Sequence, residues 1–247
     1  MNIKFPTILL ITSVLTGCDW FNSEPGLAYH QSFEKATEGE IVPGKIGNAL
    51  HISARKPGVK FALPDGLIGQ TGCVEFWAKI DGGDGRCTDT FAPQFFTLFA
   101  DNNDRISMGF GTNNGHGNSG LCFRYWGLAF TASHKGCGAF PFSDVLKSDP
   151  AGWHHYAMTW NTAGVKVDTP NQDNPPTLVC FIDGQPSLFA GNAKTFKESF
   201  FLDQTKWRNT PITLDSSCLL RSNVGYTIDE FKLWTTDKTE FDVSPNP

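Results

Sequence analysis

Two histidines stand side by side in WHHYAMTW, the stretch from Trp153 to Trp160. Imidazole ligates metals and exchanges protons near neutral pH, so the pair invites a metal centre or a catalytic base. The flanking pattern argues against both. Aromatic residues alternating with small ones make a strand, and neighbouring side chains of a strand point to opposite faces. His154 then sides with Tyr156, Met158 and Trp160, and His155 with Trp153, Ala157 and Thr159. Two rings on opposite faces cannot chelate one ion. A helix would not join them either, because that takes a spacing of three or four. Each histidine is expected as a framework residue whose ring nitrogens find local partners.

The remaining chemistry is thin. GHGNSG (Gly115–Gly120) matches G-x-G-x-x-G, but a dinucleotide site needs a helix next, and LCFRYWGLAF reads as a strand. It is a glycine- and asparagine-rich loop, with His116 exposed in it. No G-x-S-x-G elbow occurs. Glu75 is the one acid well inside a clear strand beside a tryptophan, and no second carboxylate stands at Glu-x-x-x-Glu spacing on that strand. Retaining glycosidases hold two carboxyls about 5–5.5 Å apart. The chain is therefore read as non-catalytic.

The elements that position these residues are framed by the composition. At 247 residues with 21 Phe and 13% aromatics, the chain can bury a large core, and 25 Gly with 15 Pro imply many turns. A formal charge of −5 with no basic run argues against nucleic acid as a partner. The first residues read as an address. Lys4 precedes the apolar FPTILLITSVL, which is too short to span a bilayer as a helix and fits a cleaved export signal. LTGC, ending at Cys18, resembles a bacterial lipobox, which implies lipidation of Cys18 after removal of residues 1–17. Loss of Lys4 takes the charge from −5 to −6. Asp19 resembles the signal that retains enteric lipoproteins at the inner membrane.

Six cysteines follow: Cys73, Cys87, Cys122, Cys137, Cys180 and Cys218. An even set in an oxidising compartment reads as up to three disulfides with fifteen connectivities, and Cys122–Cys137 and Cys180–Cys218 are the expected pairs. Zinc is disfavoured because no C-x-x-C exists.

Strand-like runs bounded by Gly, Asn, Asp or Pro recur along the chain. Asn102–Asn103 and Asp183–Gly184 read as hairpin turns. Helix is scarce, with only Asp144–Asp149 and Lys194–Trp207 as candidates. The expected fold is all-β, two antiparallel sheets packed as a sandwich. In CVEFWAKI, Val74, Phe76, Ala78 and Ile80 form the core face. Cys73, Glu75, Trp77 and Lys79 form a partly wet one.

Taken in order, PGKIGNALHIS, GCVEFWAKI, GWHHYAMTWN, LVCFIDGQPS and YTIDEFKLW resemble successive strands of the laminin-G-like, concanavalin A-type jelly roll. The likeness covers about Tyr29 to Trp234. It implies a spacer at 18–27, a sandwich at 28–236 and a tail at 237–247. It also implies a curved sheet that binds glycan or protein, and a structural Ca²⁺ held where first and last strands meet, at Glu34 and Asp229. Jelly-roll glycosidases supply their carboxylates from one strand, a pattern Glu75 does not complete. The chain departs from the family in the long segment Gly111–Gly138 and in its cysteine count. Candidate ligand contacts are Tyr125, Trp126 and Arg124, with Asn113 and Asn114 beside them, and Trp207 in a polar segment. The resulting expectation is an exported, lipid-anchored envelope protein whose sandwich binds a glycan or an envelope protein. An envelope polysaccharide-degrading enzyme and a structural envelope subunit are the alternatives.

Overall fold

The computed structural model describes residues 24–35, 39–54, 59–62, 67–81, 94–99, 105–112, 119–126, 149, 151–168, 175–190, 211–215 and 225–244. They contain thirteen strands and no helix. The N-terminal strands are β1 (Leu27–Gln31), β2 (Glu40–Pro43), β3 (Asn48–Ile52), β4 (Val59–Ala62) and β5 (Thr71–Ile80). The middle holds β6 (Gln94–Phe99), β7 (Arg105–Thr112), β8 (Ser119–Trp126) and β9 (His154–Asn161). The C-terminal part adds β10 (Leu178–Ile182), β11 (Gln185–Ala190), β12 (Pro211–Asp215) and β13 (Tyr226–Trp234).

All pairings are antiparallel, and they build two sheets. The large sheet runs β11-β10-β9-β5-β13-β3-β2, with β1 also on β13, and the small sheet runs β4-β12-β6-β7-β8. The fold is the all-β antiparallel sandwich. Strand β13 serves two partners on one edge, β3 through Tyr226–Ile228 and β1 through Phe231–Trp234. A bulge between Asp229 and Lys232 divides the two halves, and Glu230 takes φ 49° there. At the β10–β11 hairpin Asp183 and Gly184 both have positive φ, 48° and 73°, as a two-residue turn of the primed kind requires. Strands β6 and β7 pair as the Asn102–Asn103 signal predicts, although the turn itself lies outside the described residues.

The core sits on the inner face of the large sheet. Phe76 stacks on Tyr156 at 5.7 Å and on Phe231 at 6.1 Å. Met158, Trp160, Leu178, Ile228 and Leu233 are buried around them. Phe33 meets Phe61 of β4 edge-on at 5.9 Å, which ties the two sheets together. Gly72 lies directly across from Trp160, and a Cβ there would collide with the indole, so this glycine makes room for the ring.

The second face of β5 differs from expectation. Cys73 is fully buried, and Glu75 and Trp77 are 4% and 8% exposed. What covers them is the end of the chain. Residues 235–244 run back over the sheet as a strap, with Phe241 4.9 Å from the Phe181 ring. Residues 237–244, expected as a tail beyond the sandwich, are thus packed on it.

Candidate functional site

Glu75 sits on the central strand β5, facing outward between Ala157 of β9 and Lys232 of β13. A carboxylate this buried is costly unless donors surround it. Three do. Trp234 Nε1 and Lys238 Nζ each donate to Oε1 at 2.9 Å, and His155 Nε2 stands 3.3 Å from Oε2. Burial alone would raise the pKa of Glu75, but His155 and Lys238 outweigh it and hold the acid down at about 2.

The strap closes the cluster. The Lys238 ammonium lies 4.1 Å from the Trp234 ring centre and 5.3 Å from that of Phe241, a cation–π box above the carboxylate. Thr159 Oγ1 donates to the Lys238 carbonyl, and Asn161 Nδ2 donates to Asp237 at 2.7 Å. Thr71 Oγ1 donates to the Thr235 carbonyl at 2.8 Å. Beside this strap lies a cleft of about 200 Å³. Its buried lining is Glu75, Trp77 and His155, and Glu24, Glu230, Lys232, Asp242 and Ser244 line its more accessible parts. The Trp77 indole meets His155 edge-on at 5.4 Å and carries the Lys45 ammonium over its ring at 4.9 Å.

The two histidines divide as alternation requires, since His154 pairs with Ala78 and His155 with Trp77 on opposite faces. His154 is satisfied at both nitrogens, Nδ1 by Asp183 at 2.8 Å and Nε2 by the Asp149 carbonyl at 2.7 Å. Burial works against its charge, yet these two oxygens raise its pKa. His155 departs from the expectation of local satisfaction: its Nδ1 is buried and has no partner.

Glu34 and Asp229 do meet at one place, the turn between β2 and β3. There Glu34 accepts from the Asn48 N–H at 2.9 Å and from its side-chain amide at 3.1 Å. Asp229 accepts from the Ile46 and Glu230 N–H groups at 2.9 and 2.8 Å. Burial lifts the Asp229 pKa to about 7. A hard dication takes six to eight oxygens, most of them charged or carbonyl. Here the carboxylates face N–H donors, and among the described residues no group of three or more His, Cys, Asp or Glu could hold a metal ion. All four carboxylate oxygens accept an N–H, and together they clamp the turn.

The cysteines require a correction. Cys73 and Cys180 are free buried thiols, so neither the three-disulfide set nor the Cys180–Cys218 pair forms. Cys73 is opposite Thr159 and Cys180 opposite Met158, which places them on opposite faces of the large sheet. Burial pushes both thiol pKa values up, leaving them unreactive near neutral pH. Cys87, Cys137 and Cys218 lie outside the described residues, as do Cys18, Asn113, Asn114, His116 and Trp207. Arg124, Tyr125 and Trp126 fall on β8, an outermost strand of the small sheet, with Cys122 on the same strand.

Two solved structures share this architecture. The binding domain of botulinum neurotoxin serotype D superposes with a TM-score of 0.52 at 13% identity over 85% of this chain. The binding domain of Paraclostridial Mosquitocidal Protein 1 does so with a TM-score of 0.50 at 13% identity over 87%. The likeness is one of fold. The chain spans less than half the length of either, 44% and 46% respectively. No family model matches the chain, and no curated protein matches it in sequence.

Sequence reasoning singled out Glu75 but missed its partners. Lys238 is 163 residues away and was assigned to the tail, so no local spacing could signal the contact.

Glu75 and Asp229 give stability opposite dependences on pH. The Glu75 contribution is present above about pH 4.5 and is lost as pH falls toward 2, because its folded pKa is depressed. Asp229 binds its proton more tightly when folded, so its contribution declines as pH rises from about 4 to about 7. Urea midpoints measured from pH 3 to 8 are expected to peak between about pH 4 and 5. Asp229→Asn should flatten the decline toward neutral pH; a profile falling as steeply as that of the wild type would assign the effect elsewhere.

Proposed function

We propose that this chain is an exported module, tethered to a membrane through a lipidated Cys18, whose laminin-G-like sandwich binds a glycan in the bacterial envelope without chemistry. The observation that carries the reading is the state of Glu75. The one carboxylate buried deep in the outer-face cleft is spent on three donors and held ionised. A glycosidase acid needs the opposite, a proton retained near neutral pH by a raised pKa. What remains is a concave surface with an indole and mixed polar groups, the furniture of recognition. The similarity of fold to toxin binding domains supports a binding role in general terms. The apolar leader and LTGC support export and anchoring.

The test is a glycan array probed with the full chain, run beside an assay for released reducing ends. Retention of at least one glycan class with no release is expected. Release of reducing ends, or an array with no signal, would overturn the reading.

A further inference from the structure

We infer that the outer-face cleft beside the C-terminal strap is itself the ligand site, and that it takes a single neutral polyhydroxylated ring, the terminal sugar of a glycan, with His155 as a direct contact. The inference rests on the glycan reading above and gives it a place.

The mixed charges around the cleft disfavour a ligand that carries a single charge. Glu24, Glu230 and Asp242 stand against Lys232 and Lys238. A phosphate, sulfate or carboxylate ligand would meet the three acids, and an amine would meet the two ammonium groups. A polyol carries no charge and offers both donors and acceptors, so it can partner both kinds of group at once.

The orphan nitrogen narrows the class further. His155 is 3% exposed, its ring lines the cleft, and its Nδ1 has no hydrogen-bond partner. An unpaired buried polar atom costs roughly 1–3 kcal/mol. With Nε2 turned to Glu75, Nδ1 is an acceptor when the ring is neutral and a donor when it is charged. A hydroxyl serves either state. Trp77 lines the same cleft beside His155, with the Lys45 ammonium over its ring.

Size sets the extent. The cleft of about 200 Å³ is smaller than the roughly 300–1,000 Å³ usual for drug-sized ligands, which favours a single ring over an extended chain. Asp242 and Ser244 of the strap line the cleft from exposed positions. Nδ1 is itself buried, so the surrounding side chains must shift before a hydroxyl reaches it. This site is on the large sheet, whereas Arg124 and Trp126 lie on the small one.

The experiment titrates the full chain with the methyl glycosides of glucose, galactose, mannose and N-acetylglucosamine. The His155 imidazole and Trp77 indole NMR signals are followed. A saturable shift of both with at least one glycoside is expected. His155→Phe should weaken that binding by about tenfold or more. Ser244→Tyr, which fills the cleft from an exposed position and spares the buried cluster, should do the same and guards against misfolding of the first variant. Unshifted His155 signals with every glycoside at high concentration would overturn the site. Glycan-array signals undiminished in both variants would overturn the site while leaving glycan binding standing. A blank array together with unshifted signals would remove both.

Discussion

Glu75→Ala is expected to lower stability by about 3–5 kcal/mol, a fall in melting temperature on the order of 10 °C. Removing the carboxylate leaves the buried Trp234 Nε1 and the His155 ring without their acceptor, and strands the Lys238 ammonium in its aromatic box. The loss should show in the strap first. Lys238 is held by Glu75 from one side and by the Thr159 hydroxyl at its carbonyl. Weakening the first contact should speed tryptic cleavage after Lys238 well before global unfolding. Glu75→Gln keeps the shape and one good acceptor, but turns an amide toward a donor, so a smaller loss of about 1–3 kcal/mol is expected. Equal melting temperatures for wild type and both variants would mean that the cluster contributes nothing to stability.

The second large effect lies on the inner face. Trp160→Ala should cost about 3–5 kcal/mol, because a fully buried indole is lost and the sheet cannot collapse into the space. Its Nε1 also donates to the Gly69 carbonyl at 3.0 Å, and that acceptor would be orphaned. Gly72 provides the complementary experiment. Gly72→Ala drives a methyl into the Trp160 ring and should cost about 1–3 kcal/mol on its own. In the Trp160→Ala background the same methyl enters the vacated space, so the two losses should fall short of additivity by more than about 0.5 kcal/mol. Urea unfolding of the four proteins measures this. Strict additivity would show that the two residues do not share one packing site.

Legibility in the sequence tracked the range of the interactions involved. Strands with six or more alternating residues announced themselves, β5, β9 and β13 most clearly, since a period of two is written locally. The Asp183–Gly184 pair announced the β10–β11 hairpin, because positive φ at both positions is a property of those residue types. Strands β2 and β4, four residues each, were too short for alternation to register. Helix propensity could neither make nor exclude the Asp144–Asp149 and Lys194–Trp207 segments, which lie outside the described residues apart from Asp149.

What the sequence determined by itself is the sandwich and the division of faces: period-two alternation separates His154 from His155 whatever the rest of the chain does. Tertiary structure alone decided which faces are dry. The Glu75–Trp77 face carries a charge in its pattern and reads as wet, yet the chain end returns over it and supplies Lys238 and Phe241. The same holds for the cysteines and the acids. An even count suggested disulfides, but two of those thiols are free and sit on opposite faces of one sheet. Glu34 and Asp229 each reach the β2–β3 turn, whose N–H groups claim their oxygens. Composition and spacing specify which groups are available; the partner each group meets depends on contacts between residues far apart in the chain.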